Sequence, residues 1–271
     1  MSMTVFPQPR TTHGTSARVS LPARRGRQSG SLSGQGLWLA SREVGLVMLA
    51  VIAYFLVRGL VDAEPGEALR HARQVISLEH RLGIFHEPVL QSILLEHRWL
   101  VDLANGFYVY GHWPLILLTL VWLFVNHRPA FHDVRMAMVL SGLVGFACFF
   151  LFPMAPPRFL PEQGFVDTVV LHSDAYRVLQ PPSMTNQYAA MPSLHVGWNL
   201  LMGIVIFRHA SSRWLRAFGV VMPIGMWATT VATGNHFMVD GIAGAVLVLL
   251  VLTAIAWWKR RGADAQHGCL T

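Results

Sequence analysis

Two short stretches hold residue types able to move a proton and attack an electrophile: Met191-Pro192-Ser193-Leu194-His195 and Gly234-Asn235-His236-Phe237-Met238-Val239-Asp240. Each opens an apolar run. Pro192 and Ser193 are helix-start residues, with Ser193 the expected N-cap ahead of the run Val196 to Phe207, so His195 falls in a first helical turn. His236 and Asp240 stand four apart and share a helical face, where the carboxylate can hold one imidazole nitrogen and leave the other to react. Two helix N-termini bearing two His and one Asp favour an anion, because unpaired backbone N–H groups and the helix dipole point the same way. Each cluster also has a plainer reading. A lone His at a membrane edge commonly serves as a structural hydrogen-bonder, and an Asp in a first turn commonly complements the dipole.

Taken together, the clusters resemble the second and third signatures of the type-2 phosphatidic acid phosphatase superfamily, Pro-Ser-x-His and His-x-x-x-Asp, each at the head of a membrane helix. The resemblance runs from about Tyr108 to Gly244. The flanking Pro153-Met154-Ala155-Pro156-Pro157-Arg158 and Tyr188-Ala189-Ala190 are similar to the branch containing fungal inositol phosphorylceramide synthase and its bacterial relatives. The resemblance implies phosphoryl transfer through a phosphohistidine: His236 as nucleophile, Asp240 as its orienting partner, His195 as the acid that protonates the leaving oxygen. It implies neither cofactor nor metal. Arg158, in Ala-Pro-Pro-Arg, matches the first, phosphate-binding signature; from composition alone it would pass for a snorkelling anchor. The sequence departs from the family in two places. Other members carry a Lys ahead of that Arg, and a Ser-Arg pair where Thr229 and Thr230 stand here. Further donors must come from backbone N–H groups, Ser193, Tyr108 or Tyr188.

These residues need a membrane scaffold. Of 271 residues 53% are hydrophobic and 13% charged, which indicates an all-α polytopic membrane protein rather than a soluble domain or a nucleic-acid binder. Apolar runs place six spans at about 43–61, 103–125, 136–152, 194–211, 214–232 and 238–258. Residues 1–41, rich in Ser, Gly and Arg, form an expected disordered tail, 42–261 the catalytic membrane domain and 262–271 a second tail. Six spans put both termini on one side, and fourteen of the twenty-one Lys and Arg residues fall on that side. The positive-inside rule makes it cytoplasmic, so the clusters face outward. Twenty Arg against one Lys fit a GC-rich bacterial genome, and the expected location is the bacterial inner membrane.

Between the first two spans, apolar positions at helical spacing over 64–100 predict two interfacial helices broken near Gly83 and Pro88. They are a simple amphipathic connector or an entrance for lipid. In the second span Asn105, Tyr108 and His112 share one face, which points into a cavity because polar groups inside a membrane are expensive. Tyr108 and His112 are therefore candidate substrate contacts. The loop from Pro153 to Pro192, with seven prolines, is expected to be an ordered lid with a short helix around 167–179. The substrate class is a lipid phosphate, the acceptor water or an alcohol; the oligomeric state is left open. Two other classes fit the same residues. His195, His236 and Asp240, with His172 or Asp174, could hold zinc in a membrane hydrolase. A non-enzymatic lipid transporter could also place His and Asp at helix ends.

Overall fold

The computed structural model describes residues 41, 42, 45, 64–168 and 186–268. The chain divides into two compact units, Met1–Val47 and Met48–Thr271. In the first, only Ser41, Arg42 and Gly45 are described, all helical. The expected tail and first span thus lie almost wholly outside the described residues, as does the helix expected around 167–179.

Helix α1 (Pro65–Leu82) opens on Pro65, whose missing N–H costs nothing at a first position. It buries Ala68, Ala72, Val75, Ile76 and Glu79, spaced so as to line one helical face. Gly83, at φ 69°, ends it: its N–H bonds the His80 carbonyl at 3.1 Å and the Ile84 N–H bonds that of Glu79 at 3.0 Å. This Schellman pair closes the helix directly over Glu79. Helix α2 (Glu87–Leu95) follows, with Pro88 in its first turn. The break near Gly83 and Pro88 thus falls where the sequence places it.

The remaining helices are α3 (Arg98–Asn126), α4 (Arg128–Leu151), α5 (Leu194–His209), α6 (Arg213–Ala232) and α7 (Met238–Gly268). Helices α3, α4, α6 and α7 are long and apolar enough to cross a membrane. Leu118, Val125, Leu143, Val221 and Leu250 lie exposed along them. Such apolar exposure is the lipid-facing surface of an all-α membrane protein. Three elements outrun their predicted limits, the first being helix α3, which begins at Arg98 rather than near 103. Helix α4 begins at Arg128 rather than near 136, and α7 continues beyond Arg261 to Gly268, into the stretch expected to be a tail. An ion pair between Asp133 and Lys259 joins the extension of α4 to α7.

Helix α5, only 16 residues long, is the hub, packed against α3, α4, α6 and α7. Without a hydrophobic drive between helices in lipid, close backbone approach through small residues holds such a bundle together. A Cβ on Gly244 of α7 would stand 2.1 Å from the Ser193 carbonyl, and one on Gly197 of α5 would stand 2.7 Å from the Gly244 carbonyl. The head of α5 therefore lies directly on α7. The loop segments 152–168 and 186–193 close over that junction: Met154 bridges Ala189, with its N–H on the Tyr188 carbonyl at 2.7 Å. Met154, Leu160, Phe165 and Phe237 form the apolar core beneath, shared with Ala68, Ala72, Val75 and Ile76 of α1.

Candidate active site

Ser193 caps α5 as its sequence predicts: its Oγ accepts the Val196 N–H at 3.4 Å, and its own N–H donates to the Asp240 carbonyl at 2.9 Å. The side chain is fully buried. His195 then projects from the first turn among rings from two other elements. Tyr108 of α3 stacks on it at 4.6 Å between centroids, His112 lies at 4.3 Å, and His236 lies at 6.0 Å. The predicted polar face of α3 thus turns inward, with Asn105, Tyr108 and His112 all buried.

His112 is held in one tautomer. The Nδ2 of Asn199, one turn into α5, donates to the His195 carbonyl at 2.8 Å and lies 2.7 Å from His112 Nδ1. The carbonyl requires a donor, so the same amide nitrogen donates to His112 Nδ1, whose lone pair faces it. The proton of His112 therefore sits on Nε2.

His236 precedes α7, and Asp240 lies on that helix's first turn. Nδ1 of His236 stands 3.4 Å from Asp240 Oδ2. Gly234, at φ 70°, turns the chain from α6 into this segment; a Cβ there would meet the Gln91 amide nitrogen at 2.9 Å. The His236 imidazole is pushed down to about 3, chiefly by burial and then by Arg158, with the Ala190 carbonyl acting the other way. At neutral pH the ring is uncharged and has a lone pair to offer.

Arg158 sits in a short 3₁₀ turn, Pro157–Phe159. Its backbone N–H bonds the Gly234 carbonyl at 2.9 Å, its guanidinium donates to the Asn235 side-chain oxygen, and Nε stands 3.7 Å from Asp167. It is thereby tied to the residue next to His236. Gln91 of α2 brackets Val166, accepting its N–H at 2.8 Å and donating to its carbonyl at 2.9 Å. Asn105 holds the Thr168 carbonyl at 3.1 Å. Tyr188 presents its ring edge-on to Phe159 at 6.1 Å, beside Arg158, while its carbonyl serves Met154.

A chain with this arrangement is comparable with known families. The family model described as PAP2 superfamily matches residues 73–254. The chain belongs to the PAP2 superfamily. A curated relative, phosphoinositol dihydroceramide synthase of Bacteroides thetaiotaomicron, is 26% identical over 171 residues, covering 57% of this chain. The chain spans 55% of that relative's length. Among solved structures, the crystal structure of Aquifex aeolicus LpxE aligns with 64% of this chain and 92% of its own, at TM-score 0.46 and 16% identity.

Thr230, where the resemblance leads one to expect an Arg, has its hydroxyl engaged within its own helix. Its Oγ1 donates to the Trp227 carbonyl at 2.8 Å, and its own carbonyl accepts the N–H groups of Asn235 and His236 at 2.9 and 3.1 Å. It shapes the turn. Among the described residues no group of three His, Cys, Asp or Glu is placed to hold a metal, and His172 and Asp174 lie outside them.

One sequence expectation is corrected. The first amides of α7 do not point outward unpaired. Asp240 Oδ2 accepts the Phe237 N–H at 2.8 Å, Glu87 Oε1 that of Met238 at 2.9 Å and Glu79 Oε1 that of Val239 at 2.8 Å. Three protein carboxyl groups occupy the terminus that an anion would use. Glu79, Glu87, Gln91, Asn199 and Asn235 are site-building residues that the sequence reading passed over. Glu79 carried a signal: it stands three, four and seven residues from Ile76, Val75 and Ala72 on the apolar stripe of α1, where a carboxyl group is out of place.

Proposed function

We propose that this chain is an integral-membrane lipid phosphatase or phosphotransferase that acts on a phospholipid or isoprenoid (di)phosphate through a phosphohistidine on His236. The observation that carries this reading is the buried His236 imidazole, with Asp240 at 3.4 Å from its Nδ1 and the His195 ring at 6.0 Å between centroids. Nδ1 faces Asp240, so Nε2 is the atom that attacks phosphorus. As the P–N bond forms, the bond from phosphorus to the leaving oxygen breaks and that oxygen takes a proton from His195. In the second step His195 withdraws a proton from the acceptor hydroxyl, whose oxygen attacks phosphorus and releases His236. Asp240 stabilises the charge on the imidazole, and Arg158 stabilises charge on the phosphoryl oxygens. Tyr108, His112 and Tyr188 line the approach.

The relative named as a phosphoinositol dihydroceramide synthase supports an alcohol acceptor and transfer of an inositol-phosphate head group, rather than hydrolysis alone. The topology we propose has six spans, termini in the cytoplasm and the site outside, supported by the distribution of Arg and Lys.

The test is a screen of purified protein against lipid phosphates, diphosphates and phosphoinositol lipids, with and without an alcohol acceptor, the products weighed by mass spectrometry. His236→Ala abolishes turnover with every substrate, and Asp240→Asn retains a residue of it. His195→Ala loses far more activity on an alkyl phosphate than on a diphosphate or nitrophenyl ester, whose leaving groups need no proton. Equal losses for His195→Ala across leaving groups, or turnover by His236→Ala, would overturn the roles.

A further inference from the structure

The α1–α2 hairpin lies outside the signature motifs, yet it reaches the reacting centre through two side chains. Glu79 and Glu87 are both fully buried. One oxygen of each accepts an amide of α7's first turn, from Val239 and Met238. The second oxygen of each has no other partner, and Glu79 lies in hydrogen-bond reach of Glu87. Two carboxylates cannot face each other in this way, since each offers only lone pairs and both carry charge. One proton between them resolves the contact and satisfies both groups.

We infer that Glu79 and Glu87 share a single proton and act as positioning residues, a clamp from the α1–α2 hairpin that sets α7's first turn and through it the placement of His236 and Asp240. The inference rests on the proposed roles of those two residues. Asp240 is bound into the same turn through the Phe237 N–H, so the three carboxyl groups fix the N-cap and the first two amides of α7 together. A carboxylate there is held by the helix dipole, and a neutral acid beside it avoids a doubly charged pair. The charged or titratable groups facing Glu79 are Glu87 of α2 and Asp240 of α7, both acidic. With burial as the main cause, Glu79 is pushed up to about 9, which keeps the proton in place at neutral pH.

The test compares Glu79→Ala with Glu79→Gln in the full-length protein in detergent. Ala leaves the Val239 N–H and a Glu87 oxygen without partners, and kcat falls about tenfold or more while KM stays within about twofold. Gln keeps an acceptor for Val239 and offers Glu87 an N–H that cannot titrate. It is expected to recover most of the kcat lost by Ala and to lack the decline in kcat that the clamp predicts for the wild type as pH rises through about 9. Infrared spectra at neutral pH supply a readout without turnover: the carbonyl band of a protonated carboxyl is present in the wild type and reduced in Glu79→Gln. Unchanged kcat in Glu79→Ala, an unchanged alkaline limb in Glu79→Gln, or identical infrared bands would overturn the clamp. A protein inactive toward every phosphate ester would instead sink the His236 reading, and the infrared comparison would still decide the shared proton.

Discussion

At the scale of single residues, Arg158 and His236 are linked through Asn235, which accepts from the guanidinium while its neighbour carries the imidazole proposed as nucleophile. Removing that acceptor in Asn235→Ala frees Arg158 to swing toward Asp167, and we expect KM for the phosphate substrate to rise about tenfold with a smaller change in kcat. Steady-state kinetics check this, and an unchanged KM sinks it. The His236 ring also imposes a pH dependence on stability. Its value falls from 6.5 to about 3 on folding, so the folded state binds fewer protons between those limits. The stabilisation is fully present above about 6.5 and is lost as pH falls toward 3, at up to ~1.4 kcal/mol per pH unit. Glu79, raised from 4.5 to about 9, acts in the opposite sense and lowers stability as pH rises through that range. Melting curves in detergent of the wild type and His236→Asn separate the two, because only the acid-side loss shrinks in the variant. His195 and Asp240 were legible in the sequence because each falls in the first turn of a helix that its neighbours announce; His236 stands ahead of α7 instead of sharing a helical face with Asp240, as its spacing predicts. Glu79 and Asn235 act across 160 and 77 positions of sequence separation, and no local rule reports on that.

At the scale of elements, α5 and α7 meet at two small residues, Gly197 and Gly244, of which Gly244 allows the closer approach. Gly244 lets the Ser193 carbonyl approach to a distance at which even a methyl group would overlap, so Gly244→Ala must push α5 away from α7 or tilt it. The displacement falls on Ser193 and its neighbour His195, and we expect a loss of several degrees in melting temperature together with at least a hundredfold loss of turnover. Wild-type melting and activity would show that the junction yields more easily than its distances suggest. Helix boundaries were legible wherever punctuation marked them: Gly83, Pro88 and Ser193 stand where the chain turns or starts. They were missed where polar residues continue a helix past its apolar part, as Arg128 to Arg135 do in α4 and residues 262–268 do in α7. The hydropathy pattern marks where a span can lie, and a helix ends only where its backbone finds another partner.

At the scale of the whole molecule, every residue given a chemical role lies at the end of the bundle where α5 and α7 begin, and the turn between α5 and α6 lies at the other end of α5. The proposed topology therefore assigns the two ends to opposite sides of the membrane. Single cysteines introduced at Glu162 and Gly164, both exposed, should react in intact cells with a membrane-impermeant thiol reagent, whereas one at Ser211 should react only after permeabilisation. The reverse pattern would place the site in the cytoplasm while leaving its chemistry untouched.

The brevity of α5 sets where that chemistry occurs relative to the lipid. Sixteen helical residues rise about 24 Å, against roughly 30 Å of hydrocarbon. With α5 as a span, His195 at its head lies beneath the head-group plane rather than above it. Under the proposed function a lipid phosphate then meets His236 by dipping a few ångströms, its chains still among their neighbours, and the bilayer itself becomes part of the substrate's path. Turnover should accordingly depend on membrane thickness: vesicles of short-chain lipids bring head groups down to the site, and long, ordered chains lift them away from it.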